Sequence, residues 1–581
     1  MFVVILLLSA LLAACVWVGT RALIAKSELE AAVLLAASIQ DGIRSGDIDS
    51  AKNNAADLAE RAESAATLTS DPVWRAFEIL PILGPNLETV RQLAEVVYDV
   101  SESAVTPLVS LADGFSVDAF SPTGGTIDLG PIVEAQVNIA VADRALGKAK
   151  SDLSEIDTTK TIAQVDAATR QLSQVVKKTA GTVNSANRAA QILPPMLGAE
   201  GPRSYLLLFQ NNAEVRATGG LPGAFAEIET NNGAIRIVRQ ESANGIAFPK
   251  PVLDLPLETR GLFTDRVSTY MGDVTLTPDF PTTGQLAREM WKQTYGTEVD
   301  GVISLDPVAL SYLLRSTGPI TLATGDVLTS ANAVQLLLTD VYTKYENSAD
   351  QDAFFASAAS AVFEALAGGQ AEPRALISAL AQAGDERRIL LWSAHEEDQT
   401  VLAGTTLTGD LPVSDPAAER IGVYFNDATG AKMDPYLDVR LGLGEVTCRD
   451  DGRTYYSVDV TLTSTAPLNA GEVLPPSVTG PGTFGVVKGN MKTLILVYGP
   501  PGSENMGVTR GGEAVPYHPA THMGYSVSQL AVELAPGESV TTRFHLLGGS
   551  ATHGALEAVS TPLIKTNPAA QVDLTCDEAL H

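Results

Sequence analysis

No charged residue occurs between Met1 and Thr20, and the run between those ends, FVVILLLSALLAACVWVG, is apolar almost throughout. At about 1.5 Å per helical residue, such a run crosses a hydrocarbon core of about 30 Å. The stretch predicts an N-terminal transmembrane helix, residues 1–26, and makes the chain a single-pass membrane protein. No basic residue precedes Phe2 and the apolar run is longer than a signal-peptide core, so an uncleaved anchor fits better than a cleaved leader. A start codon upstream of Met1 would supply the missing basic residues. Leu12-Ala13-Ala14-Cys15 has the form of a lipobox that would lipidate Cys15, but the residues after it stay apolar through Val18. Arg21 and Lys26 follow the run and, taken alone, would hold the long C-terminal part in the cytoplasm. Long domains cross largely regardless of flanking charge, so the bulk of the chain is expected outside the cytoplasm.

A chain of 581 residues exceeds what one hydrophobic core can serve, so several folded units are expected. Its 45% hydrophobic and 18% charged residues are enough to build real cores and too little charge for general disorder. The net charge of -29 repels phosphate backbones, which argues against nucleic acid as a partner. Of three cysteines one lies in the anchor, leaving Cys448 and Cys576 as a candidate disulfide of an exported protein or as two buried thiols. A bridge there would close a loop of 128 residues and, in the chain-entropy picture, stabilise that region by on the order of 4 kcal/mol.

From Ser27 to Ala66 the sequence is rich in Ala, Leu, Glu and Lys without Pro and predicts a helix running straight out of the membrane as a stalk. Asp71-Pro72 and Leu80-Pro81-Ile82-Leu83-Gly84-Pro85 break it, and Leu87–Ala112 resumes, interrupted at Pro107. Stripes at three- and four-residue spacing (Leu146, Ala149, Leu153; Val165, Ala168, Leu172) complete a helical bundle over 27–195.

After Pro194-Pro195 the run Ser204–Phe209 reads as a buried strand, and Ala224–Thr230, Asn231-Asn232-Gly233 and Ala234–Val238 as strand, turn and strand. Thr282–Tyr295 predicts a helix, Gly301–Leu305 a strand, and Pro307–Ser316 a helix capped by Asp306. Helices over 330–345 and 352–366 and a strand at Arg388–Trp392 complete an α/β domain over 196–415. From Tyr436 the apolar period falls to two, which predicts an immunoglobulin-like β-sandwich over 430–578 with Ser539–Leu547 as its final strand. The fold class expected is thus multidomain α+β.

All six histidines (395, 518, 522, 545, 553, 581) lie outside 196–390, which removes histidine catalysis from the core of the α/β domain. His518 and His522 have a metal-ligand spacing, but Pro519 intervenes and no Glu accompanies them; no metal site is assigned. The feature that stands out is the polar, Gly-rich loop Gln210–Gly223 leaving a buried strand. Arg216 offers a bidentate fork for phosphate or carboxylate and Gly219-Gly220 a backbone anion nest. Asn211, Asn212, Glu214 and Arg239 complete the candidate ligand-binding set. The competing reading is structural: a carboxylate such as Glu214 pairs with Arg216, Asn211 and Asn212 cap backbone, and the glycines serve turn geometry.

Tyr205–Gly223, with Asp71-Pro72-Val73-Trp74, Leu80–Gly84 and Asp300–Pro307, resembles the Domain of Unknown Function 4012 family along nearly the whole chain. The resemblance implies a bacterial, N-terminally anchored envelope protein and supplies no reaction. A shorter likeness runs to the LytR-CpsA-Psr family, which transfers lipid-linked glycopolymers to peptidoglycan: an apolar strand before a GG loop, Asp300–Pro307, and Gly318-Pro319-Ile320-Thr321. In that family acids and arginines around the loop hold a metal and a pyrophosphate. Here Asn211 and Asn212 stand where the acid is sought, and Arg216, Arg239, Glu241, Asp265 and Asp279 are not brought together by sequence.

The expected function is a membrane-anchored extracytoplasmic envelope protein that binds an anionic cell-wall polymer or a lipid-pyrophosphate group, without an assigned catalytic residue or cofactor. Its expected partners are the membrane, cell-wall glycopolymer and envelope proteins. The alternatives are a phosphotransferase on lipid-linked glycopolymers, which alone would need Mg²⁺, and a structural adhesive module working through the sandwich.

Overall fold

The computed structural model describes residues 2–114, 121, 122, 124–550 and 554–577; His553, His581 and the last residue of the expected sandwich lie outside them. The chain forms two compact units, Met1–Phe120 with Asp128–Glu200 and Ser121–Ile127 with Gly201–His581.

The first unit is helical: α1 (Phe2–Ser45), α2 (Ile48–Thr69), α3 (Pro72–Phe77), α4 (Gly84–Val100), a π turn (Ser101–Val105) running into α5 (Thr106–Gly114), α6 (Gly130–Glu155) and α7 (Ala163–Met196). The stretch Leu8–Gly42 of α1 is long and apolar enough to cross a membrane. The straight stalk expected over Ser27–Ala66 is corrected. Gly46, at φ 82°, ends α1, and the Asp47 carboxylate caps α2 by accepting from Ser50 N at 3.1 Å. The chain then folds back, so Ala51, Ala55 and Leu58 of α2 pack on Ala32 and Ile39 of α1. Arg61 pairs with Glu28 at 2.9 Å and Arg21 reaches the Leu68 carbonyl at 3.1 Å, which marks the antiparallel register. Pro107 does not break its helix: the π turn just before it re-routes the backbone bonds, Thr106 N donating to Ser101 O. Leu93 and Val96 of α4 pack on Ala149 and Leu153 of α6 and Val176 of α7.

The second unit opens with a five-stranded sheet in the order β3-β2-β1-β4-β7, formed by β1 (Arg203–Asn211), β2 (Leu221–Asn231), β3 (Ala234–Ser242), β4 (Gly301–Leu305) and β7 (Ile389–Ser393). β1 and β4 run parallel; every other pair is antiparallel. The β2–β3 turn places Asn232 and Gly233 at φ 48° and 82°, the geometry the Asn-Gly pair favours. A Cβ on Gly233 would sit 2.0 Å from the Ile127 carbonyl, because the segment before α6 docks there through Ile127 N to Gly233 O. The helices are α8 (Leu257–Phe263), α9 (Phe280–Tyr295), α10 (Pro307–Thr317), α11 (Ala333–Gln335), α12 (Val341–Lys344), α13 (Ser348–Ala367), α14 (Pro373–Asp385) and α15 (Glu396–Leu402), with a ribbon β5 (Ile320–Thr321) and β6 (Val327–Leu328). Asp306 caps α10 through Ala309 N at 2.7 Å.

Alternation along the strands separates the two faces of this sheet. Leu206, Leu208, Phe225 and Val302 point into a core with Met290 and Trp291 of α9. Leu207, Phe209, Ala226 and Ile228 point to the other face, toward α10 and α13.

Two further sheets follow. One has the order β14-β15-β11-β8-β17, from β8 (Ala418–Asp427), β11 (Met491–Tyr498), β14 (His518–His522), β15 (Tyr525–Leu534) and β17 (Ala555–Ser560). The other is β13-β12-β16-β10-β9-β18, from β9 (Leu437–Val446), β10 (Arg453–Ser464), β12 (Glu504–Arg510), β13 (Glu513–Ala514), β16 (Ser539–Ser550) and β18 (Ala570–Gln571). Phe425, Leu443, Val458, Ile495 and Phe544 join them in one core. The sequence reading is corrected at two points: the first strand, 418–427, precedes the expected boundary at 430, and Ser539–Leu547 is not the last strand, since β17 and β18 add in parallel beside β8 and β9. Cys448 and Cys576 are bridged, with Cα atoms 5.6 Å apart.

Candidate functional site

The loop after β1 is enclosed. Asn212 is fully buried and its amide donates to the Gly219 carbonyl (3.3 Å), the Asp306 carboxylate (3.2 Å) and the Pro562 carbonyl (3.2 Å). Gly220 N donates to the Gln210 side chain at 2.8 Å. A Cβ on Gly220 would overlap the Asn211 carbonyl carbon at 2.3 Å, and Gly219 has φ 141° with Gln210 Oε1 2.6 Å from where its Cβ would be. The glycine pair therefore serves close backbone approach. From its other side the loop is bound by the sandwich: Val215 N donates to Asp434 (2.6 Å), Asp427 N to the Val215 carbonyl (2.8 Å), Ala217 N to Asn426 (2.9 Å), and Thr561 Oγ1 to the Ala217 carbonyl (2.9 Å).

Arg216 sits inside this joint, 6% exposed. Its Nη2 meets Glu214 at 2.9 Å and Asp273 at 3.2 Å, and Nη1 donates to the Val215 carbonyl at 3.1 Å. Arg266 takes the other Asp273 oxygen at 2.7 Å, and Lys432 reaches Glu214 at 3.4 Å. Burial alone would strip charge from Arg216, but the carboxylates of Glu214, Asp273 and Asp427 outweigh it and hold the guanidinium protonated. Burial likewise opposes the Glu214 charge, and Arg216 and Lys432 overcome it, leaving this carboxyl below its usual range. Asp427 is pushed up to about 6 by burial and by the Glu214 charge. Burial and the Asp427 charge raise Asp434 well above the carboxylate range. Four carboxylates thus face three cations, and burial together with the excess negative charge favours the protonated forms of Asp434 and Asp427. A second buried pair, Asp306 with Arg388 at 2.7 Å, ties α10 to β7, and Arg388 continues to the Leu563 carbonyl at 2.7 Å.

Of the residues singled out from sequence, the structure brings together Asn211, Asn212, Glu214, Arg216, Gly219 and Gly220, and it does so in a buried joint. Arg239 is elsewhere, over the Tyr295 ring (4.7 Å to its centroid) on the sheet face that packs against α9. Asp265 pairs with Arg260 and Asp279 caps α9, so neither reaches the loop. His522 is a strand residue whose ring bonds Thr259 and Tyr498, and among the described residues no group of His, Cys, Asp and Glu is placed to hold a metal ion.

Beside the joint lies what sequence reasoning missed, a cavity of about 280 Å³ between the β1–β2–β3 face and helices α10 and α13. Its walls are aliphatic and aromatic, including Leu207, Phe209, Ile228, Ile237, Phe355 and Val362. Along β2 the lining runs from Leu221 to Ile228, about 24 Å at the rise of a strand, so the space is elongated. Polar groups gather at the β1 end: Asn211 donates to the Tyr342 hydroxyl, the Lys432 ammonium lies 5.3 Å from the Tyr342 ring centroid, and Asp352 accepts from Asn244 at 3.1 Å. The local signal was present in the continuous run Leu206–Phe209, whose two faces are both apolar, but Lys432 and Phe355 come from distant segments.

No curated protein and no solved structure matches the chain. The LytR-CpsA-Psr likeness is not shown by these comparisons. Residues 200–342, which hold the enclosed loop and much of the cavity wall, match the family model described as a protein of unknown function, DUF4012.

Proposed function

We propose that this is a membrane-anchored binding protein whose second unit takes an amphiphile, an apolar chain lying along the sheet face with an anionic head at Asn211, Tyr342 and Lys432. The observation that carries the reading is the elongated apolar cavity with its polar groups gathered at one end. α1 supplies the anchor, and the Cys448–Cys576 bridge supports an oxidising, extracytoplasmic setting for the second unit. A lipid-pyrophosphate group of the bacterial envelope has the chemistry such a site would recognise. Arg216 is not the ligand contact in this reading; it stiffens the joint that positions Asn211 and Lys432. A phosphotransferase would require a free carboxylate and Mg²⁺ beside the head; of the wall carboxylates, Asp306 is already engaged by Arg388 and Asn212 and Asp352 by the Asn244 amide, which disfavours that alternative.

The test is thermal stability of the full chain in phospholipid nanodiscs with farnesyl diphosphate, against inorganic pyrophosphate as the head alone. Farnesyl diphosphate should raise the midpoint and pyrophosphate should not. Ala359→Phe, which adds a ring on the cavity wall, should remove the shift while keeping the native circular dichroism. Equal responses in the variant and the parent chain, or none in either, would sink the cavity reading.

A further inference from the structure

One end of the helical unit displays aliphatic side chains that nothing among the described residues of that unit covers. The turn between α3 and α4 reads Glu78-Ile79-Leu80-Pro81-Ile82-Leu83. Ile79 and Ile82 are 84% and 82% exposed, and Leu80, Leu83 and the preceding Val73 are exposed as well. The turn is held in place. Gly84 N donates to the Leu80 carbonyl at 2.8 Å, the Asn86 amide to the Ile82 carbonyl at 3.1 Å, and Arg91 grips Glu78 at 2.7 Å. Trp74 is fully buried, with its indole N–H on the Leu87 carbonyl at 3.1 Å. Four aliphatic residues are thus presented on a braced backbone, an arrangement that is unfavourable in water and marks a contact surface.

Its position says what the contact is. Arg21 is the first charge after the uncharged run of α1. Its guanidinium lies 4.4 Å from the Trp17 ring centroid, and such Trp and Arg residues mark the level where a spanning helix leaves the hydrocarbon. The same guanidinium pairs with Asp71 at 3.1 Å. Asp71 is the N-cap of α3, accepting from Val73 N at 2.8 Å and Trp74 N at 3.2 Å. The start of α3 is therefore locked at the height of Arg21, and α3 packs beside α1. The α6–α7 turn reaches the same end, where Ile162 N donates to Asn86 Oδ1 at 2.8 Å, bringing exposed Ile162 and exposed Lys160 to it.

We propose that the turn 79–83, with Ile162 beside it, inserts shallowly into the leaflet at which α1 emerges, as a second membrane contact of the helical unit. Its partner is the boundary between lipid headgroups and acyl chains: aliphatic side chains enter the apolar side while Arg21, Arg75 and Lys160 stay at headgroup level. The contact would stop the unit from swivelling on a single helix. This rests on the reading of α1 as a spanning anchor.

The experiment uses the full chain with Cys15→Ala, so that a single introduced cysteine carries an NBD fluorophore; Cys448 and Cys576 are already bridged. Labels at Leu12→Cys, Ile82→Cys and Ser185→Cys are compared in vesicles of phosphatidylcholine and phosphatidylglycerol, with and without brominated acyl chains. The Leu12 and Ile82 probes should be blue-shifted and quenched by the brominated lipid, and the Ser185 probe should read as water. Ile79→Cys repeats the test should Ile82→Cys disturb the turn. Quenching at Leu12 without quenching at Ile82 overturns the insertion and leaves the anchor standing. Quenching at neither site removes the anchor and the insertion together. A blue shift at Ile82 that brominated lipid does not quench, and that grows with protein density, would mean the tip meets a second copy of the chain and also overturns the proposal.

Discussion

Asp427 shows how one side chain in the joint links folding to pH. Its carboxylate accepts from Thr429 N at 3.0 Å and Gly430 N at 2.7 Å, yet burial and the neighbouring Glu214 charge push its pKa up to about 6. An unfolded chain would release that proton near the ordinary value of about 3.9. The folded state therefore holds the proton more tightly, so this group favours folding at low pH and the benefit fades as pH rises from about 4 to about 6. His522 and His545 act the other way, since burial lowers both and folding is weakened as pH falls below their ordinary value. Comparing the parent chain with Asp427→Asn cancels the histidines. Between pH 7.5 and pH 5, urea denaturation should find the parent gaining about 1 to 2 kcal/mol relative to the variant, from about 1.4 kcal/mol per pKa unit. A difference independent of pH would mean that Asp427 titrates normally in the fold.

Among the elements, those with local signals were legible from sequence. The β2–β3 turn follows from Asn232-Gly233, although β2 begins three residues before the expected Ala224 and β3 runs four past the expected Val238; β4 and α10 follow from an apolar run ending at the capping Asp306 and stand within a residue of expectation. The Gly-rich loop Gln210–Gly223 was visible as a feature, but its role was not, because its partners Asp273, Asp427, Asp434 and Pro562 lie far along the chain and no local pattern announces them. The same applies to the cavity, since an apolar run reads alike whether the facing space is filled or open. The fold-back of α2 was missed for a different reason. Gly46 and Asp47 are a helix stop followed by a helix start, and the uniform Ala- and Leu-rich composition around them obscured it. The hairpin seam is built from small residues, with Ala51 fully buried beside Gly42. Ala51→Leu should overpack that seam and cost about 1 to 3 kcal/mol. Thermal unfolding of the helical signal checks it, and an unchanged midpoint would show that the α1–α2 pairing is loose.

At the scale of the whole second unit, the question is whether the mixed sheet and the sandwich fold as one body. Tyr424, Tyr498 and Val527 of the sandwich share a core with Trp291 and Trp392 of the first sheet and its helix, and the loop Gln210–Gly223 is bonded from both sides. The Cys448–Cys576 bridge lies wholly within the sandwich and closes a loop spanning 128 residues, enough to constrain the unfolded chain by about 4 to 5 kcal/mol. No tryptophan lies inside that loop, so Trp291 and Trp392 report on the far side of the shared core. If the unit is cooperative, replacing both cysteines by serine should move the Trp291 and Trp392 fluorescence transition to lower urea by the full loss of stability. The transition carried by Trp74, fully buried in the helical unit, should stay in place and serves as the internal reference. If the sandwich instead unfolds early while the Trp291 and Trp392 signal keeps its midpoint, the loop of residues 210–223 joins two independently stable bodies. Its buried charges would then act to orient the cavity, with little share in holding the two bodies together.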